Sequence, residues 1–148
     1  MNRLKESLLV RSDLFQEQAE GYLTEYHALK ASIPNLESQE HLYRRRARRK
    51  DAGEPFDRTM ANTLKRQIRD TRELIQQIEA VLEQMKEEGG DRVEKEAGQV
   101  LYYIYINKLT IDEIKELMHY SSSQTIYDRK HVGLEKFTIR MFGVGGMR

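Results

Sequence analysis

The amino-acid sequence predicts an all-α protein, an N-terminal helical hairpin or coiled coil followed by a small helix-turn-helix head. Three observations carry this expectation. Apolar residues recur at spacings of three and four along most of the chain. Near the C-terminus, two short apolar-patterned segments each follow a polar residue suited to capping a helix. Charged residues make up 33% of the chain and aromatic residues 8%, with no Trp, a thin apolar supply that suits long solvated helices plus a small head. Only Pro34 and Pro55 interrupt the pattern.

The first helix is expected over residues 1 to about 32. Leu4, Leu8, Phe15, Ala19, Tyr22, Tyr26 and Leu29 share one face. Pro34 pushes Ile33 towards an extended conformation, so the helix should stop there. Residues 35–56 read as the least regular part, with a basic loop over 43–56 in which Gly53 and Pro55 act as breakers. Asp57 suits an N-cap, and a long helix follows to about Glu88. Within it Leu64, Ile68, Thr71, Ile75, Ile78, Leu82 and Met85 alternate spacings of four and three, a heptad seam. The seam can pair with residues 4–29 of the same chain or with a second subunit. Flanking Leu74 and Val81 widen it, which favours a hairpin that also forms a homodimer or higher oligomer. On that reading Leu64, Ile68, Ile75, Ile78, Leu82 and Met85 are the oligomerisation residues. Gly89-Gly90 breaks the helix and divides a domain of residues 1–88 from one of residues 91–142.

In the second domain Asp91 caps a helix from about Arg92 to Ile106, with Val100, Leu101 and Ile104 inward. Asn107-Lys108 stops it, Asn tolerating the left-handed conformation that ends helices. Thr110 and Glu113 form a capping box for a second helix, whose buried side is Ile111, Ile114, Leu117 and Met118. Tyr120 and Ser121 make a turn. Ser121 and Gln124 open a third helix that places Ile126, Gly133, Leu134 and Phe137 inward and runs through Met141. Residues 143–148 should be a loose tail. Two capped helices joined by a turn of about three to four residues have the spacing of a DNA-binding helix-turn-helix.

The run Tyr105-Ile106-x-x-Leu109-Thr110-x-x-Glu113-Ile114, then His119-Tyr120-Ser121, Thr125-Ile126-Tyr127 and Leu134-Glu135-Lys136-Phe137, resembles region 4 of bacterial sigma factors. It is more similar to the small phage late-gene transcription regulators of the ArpU, RinA and LtrC type, and covers roughly a quarter of the chain. Arg129 stands at a position that is usually apolar in that family. The resemblance implies a transcriptional regulator, often an activator, in a bacterial or phage-host cytoplasm. An alternative is a sigma-like adaptor that binds host RNA polymerase, and a third is a structural coiled-coil protein.

The partner expected for the head is double-stranded DNA. Ser122, Ser123, Gln124, Thr125, Tyr127, Asp128, Arg129, Lys130 and His131 lie on the third helix or at its start, and can bond base edges and phosphates if its N-terminus enters the major groove. Net charge is +1, but residues 41–72 hold 11 basic and 4 acidic residues, which points to a polyanion or acidic partner there. From Arg44 to Lys50, six residues of seven are basic. Arg45, Arg46, Arg48 and Arg49 are candidate phosphate contacts. The same run is also consistent with a solvated face or with a grip on the acidic helix of residues 73–96.

No catalytic or metal-binding set emerges. His27, His41, His119 and His131 show no metal-ligand spacing, and there is no Cys. Asp112, Glu113 and Lys115 resemble an acidic-x-Lys nuclease signature, yet a cap and a solvated helix face explain them. No phosphate-cradling glycine motif is present. The expectation is therefore a non-enzyme without a cofactor. No apolar run approaches the ~20 residues of a membrane span, and the first residues carry charges every few positions, unlike a signal peptide.

Overall fold

The computed structural model of the chain describes residues 3–49 and 54–147, with backbone alone for residues 3–12, 54, 144 and 145. Among these, every regular element is helical, as expected. They are α1 (Arg3–Thr24), α2 (Tyr26–Ala47), α3 (Glu54–Glu88), α4 (Arg92–Leu101), α5 (Ile111–Met118) and α6 (Ser123–Phe142). A π-helical segment, Tyr102–Ile106, follows α4, and a 3₁₀ turn, Gly143–Gly146, follows α6. The chain forms two compact units, one of residues 1–26 with 77–148, the other of residues 27–76. The Gly89-Gly90 break is therefore not the boundary between compact units: α1 and the end of α3 belong with the head.

Within residues 27–76, α2 and the first part of α3 form an antiparallel hairpin. The Arg44 guanidinium donates to Asn62 Oδ1 at 3.2 Å, and Arg72 pairs with Glu37 at the other end. Ala61, Leu64, Ile68 and Ile75 are buried. Ile33, Leu36 and Tyr43 on α2 are half-buried at helical spacing. The expected stop at Pro34 is corrected, since α2 runs through Pro34 to Ala47 and the break falls at Glu25 instead. Proline removes only its own N–H from the ladder, and the side chains of Ser32 and Asn35 donate to the Leu29 and Ala31 carbonyls. Packing of a long α2 on the apolar stripe of α3 outweighs the local preference of Ile33. The basic loop over 43–56 is corrected in the same way: residues 43–47 close α2, and Phe56 belongs to α3. Asp57 is not a cap but a buried first-turn residue, because α3 starts at Glu54. Pro55 fits that first turn, where its missing N–H is not needed. Lys50, Asp51, Ala52 and Gly53, and the side chains of Leu4 and Leu8, lie outside the described residues.

The other unit is organised around α6, which packs against α1, α4 and α5. Val100, Ile114 and Ile126 form a fully buried cluster, surrounded by Tyr103, Ile104, Leu109, Ile111, Met118 and Tyr120. Leu101, Leu134 and Phe137 are also buried. A Cβ on Gly133 would sit 2.8 Å from Leu101 Cγ, and one on Gly98 2.8 Å from Met85 Cβ and 3.1 Å from Lys86 N. These two glycines allow α4 its close approach to α6 and to the end of α3. Leu117 is corrected: it is exposed, because the two-turn α5 buries only a narrow stripe. At the C-terminal end of α6, Phe142 stacks with Phe15 of α1 at 4.8 Å between centroids and contacts Tyr22. The expected loose tail is instead a 3₁₀ turn in which Gly146 is buried against the Thr138 carbonyl.

Leu64, Ile68, Ile75, Ile78, Leu82 and Met85 are each at most 8% exposed within the single chain. These side chains are thus covered within their own chain. No helix among the described residues is long and apolar enough to cross a membrane.

Candidate nucleic-acid interface

The surface begins with how α5 and α6 are set. Thr110 Oγ1 accepts from Glu113 N, and the Glu113 carboxylate accepts from Thr110 N and Oγ1, the expected capping box. Before it, the left-handed residue is Lys108 (φ 54°), not Asn107. The π segment explains the shift, since Asn107 N still donates to Tyr102 O and is held in the helix. His119 (φ 56°) closes α5. Ser122, not Ser121, caps α6, its hydroxyl accepting from Gln124 N at 3.1 Å.

From that cap, Ile126, Gly133, Leu134 and Phe137 point inward as expected. Ser122, Gln124, Tyr127, Asp128 and His131 are exposed, and Ser123 and Thr125 half-exposed, so the first turns of α6 present one polar face. Gln124 Nε2 donates to Asp128 Oδ1 at 3.0 Å. His131 Nε2 lies 3.1 Å from Glu135 Oε1. Lys130 is drawn over the ring of Tyr105, 6.0 Å from its centroid. Burial, with a smaller push from Glu20, raises the Tyr105 hydroxyl to about 12, so the phenol stays neutral.

Arg129 is the exception among the predicted contacts. Its Nε donates to Glu96 Oε2 at 3.0 Å, on α4. The same carboxylate accepts from Tyr120 Oη at 2.9 Å and from Arg92 Nε at 2.9 Å. One buried-edge carboxylate therefore joins α4, the α5–α6 turn and α6. Burial alone would raise the Glu96 carboxyl, but the hydrogen bonds from Arg129, Tyr120 and Arg92 outweigh it and hold it below the usual carboxylate range. Burial and then the Glu96 contact push Tyr120 up to about 12. The half-buried Arg129 is tolerated at the usually apolar position because Glu96 meets its charge. In the structure its guanidinium is engaged by Glu96 rather than extended from the polar face.

A second pair uses Glu94, two residues before Glu96 on α4. Arg140 Nε donates to Glu94 Oε1 at 2.9 Å, while Gly90 N donates to Oε2 at 2.7 Å. Glu94 N is itself capped by Asp91. Burial opposes ionisation of Glu94, but the Gly90 N–H and Arg140 prevail and keep it anionic below the usual range. Sequence reading missed Glu94 and Glu96, since nothing local links them to residues 46 and 33 positions away.

Arg45, Arg46, Arg48 and Arg49 lie in the other unit, at and just beyond the end of α2, all exposed. Among the described residues no group of His, Asp or Glu could hold a metal ion. No family model, curated protein or solved structure matches the chain.

Proposed function

We propose that the chain is a sequence-specific DNA-binding regulator of transcription, of the phage late-gene activator type, reading duplex DNA with the first turns of α6. The observation that carries this reading is the polar face of Ser122, Ser123, Gln124, Thr125, Tyr127 and His131, projecting from a capped helix end that Glu96 pins to α4. Gln matches the adenine edge bidentately, Ser and Thr adapt to either base type, and a helix N-terminus favours phosphate. Selection of bound duplexes from a random pool tests it. An enriched motif that disappears in the Ser123→Ala, Gln124→Ala variant supports the reading; no enrichment with the wild type refutes it.

A second reading, an adaptor that binds RNA polymerase, is favoured by α5. Its outer side exposes Leu117 beside Asp112 and Glu116, a surface that repels phosphate and suits a protein partner. Capture of purified polymerase that is abolished in Leu117→Asp, with DNA selection negative, would favour the adaptor. Since the heptad seam is buried within one chain, neither reading requires an oligomer held by it.

A further inference from the structure

We propose that the end of the hairpin in residues 27–76 binds single-stranded nucleic acid, with Phe56 and Tyr43 as a stacking platform and the exposed arginines near the end of α2 and the start of α3 as phosphate contacts. This site is independent of α6. Phe56, in the first turn of α3, is 64% exposed, and Leu42 near the end of α2 is 43% exposed. The Phe56 ring meets the edge of Tyr43 at 6.2 Å and 73°. Arg46 covers a face of Tyr43 at 5.5 Å. Arg44 is committed to the fold through Glu40 and Asn62. Arg45, Arg48, Arg49 and Arg58 are exposed and have no acidic partner among the described residues. A phenyl ring left in water on a hairpin end rich in exposed arginines gives up burial that the hairpin could otherwise use. It has one obvious complement, a flexible polyanion that also carries flat apolar faces.

Unpaired nucleotides have both features. Base–aromatic stacking is tolerant of sequence, and arginine adds phosphate contacts and cation–π attraction. A duplex keeps its base faces stacked on one another and offers Phe56 only edges and phosphates. An anionic membrane needs an apolar helix face lying in the interface. Here Phe56 and Leu42 are the large exposed apolar side chains among the described residues of this unit, too few for such a face, and the end of α2 is Arg44, Arg45 and Arg46. An acidic peptide would use the arginines but leave the exposed ring unmatched.

The test uses the full chain and a labelled oligodeoxythymidine of roughly 16 nucleotides, against a mixed-sequence duplex of the same length. Phe56→Ala should weaken single-strand binding by about 5- to 150-fold, the range for removing one stack. Phe56→Trp should retain it, and duplex affinity should be unchanged in both. Neutralising Arg45, Arg48 and Arg49 should reduce the salt slope on the single strand by about 0.7 for each phosphate no longer neutralised. Ser123→Ala with Gln124→Ala should leave single-strand binding intact even if duplex recognition fails. The proposal is overturned if the wild type does not bind the single strand. Phe56→Ala matching wild type, or weakening duplex and single strand equally, would also overturn it. So would tighter, Phe56-dependent binding to vesicles of anionic phospholipid.

Discussion

Replacing Glu96 should loosen α6 from its support without touching the exposed face. The Arg129 and Tyr120 contacts are shielded, with 25% and 20% side-chain exposure for Arg129 and Glu96, whereas the Arg92 side chain is 90% exposed. The Arg92 leg is therefore worth at most about 0.5 kcal/mol. The other two bonds involve a charged acceptor, worth about 1.5–3 kcal/mol each if fully shielded. Water can reach the vacated Arg129, so Glu96→Ala should cost about 2–3 kcal/mol rather than the ~3–5 kcal/mol of a wholly buried pair. Glu96→Gln keeps the shape and one acceptor and should cost about 1–2 kcal/mol. For a chain of this size, 1 kcal/mol moves Tm by about 2–4 °C. Denaturant unfolding of Glu96→Ala, Arg129→Ala and the double variant gives the coupling. A coupling of about 1 kcal/mol or more is expected between the two residues. Additive losses would refute the claim that this carboxylate holds α6 through Arg129.

Further outcomes follow from the same geometry. Glu94 and Glu96 have folded pKa values below their ordinary value of 4.5, so the unfolded chain binds protons first as pH drops. Their stabilisation is complete above that value and is lost as pH falls through the lower folded values; a pH series of denaturation curves should show the loss absent in the Glu94→Gln, Glu96→Gln variant. Gly98→Ala should destabilise by about 1–2 kcal/mol, the overpacking against Met85 and the Lys86 backbone exceeding the ~1 kcal/mol helix-propensity gain; equal or higher stability by calorimetry contradicts that contact. Ile78→Asp, at a fully buried position, should unfold the unit that includes the head and abolish its helical melting transition, since an unpaired buried charge costs several kcal/mol. A folded monomer released from an oligomer would instead restore the between-chain seam.

The elements that could be read directly from sequence are those whose cause is local. Asp91 and the Thr110–Glu113 box cap their helices through side chains three residues from the groups they satisfy, so the pattern and the contact coincide. The inward face of α6 and the buried seam of α3 follow from apolar spacing alone. Local rules failed where packing overruled them. Pro34 looks like a stop, yet α2 continues because α3 offers a long apolar stripe to cover. Arg129 looks like a base contact, yet it lies beside a carboxylate 33 residues away, a distance no local pattern encodes. The seam predicted burial but not its partner, because an apolar stripe specifies only that it must be covered. What covers it, which arginines stay exposed, and that Phe56 is left facing water were decided by tertiary packing, which distributes a limited apolar surface between two small cores.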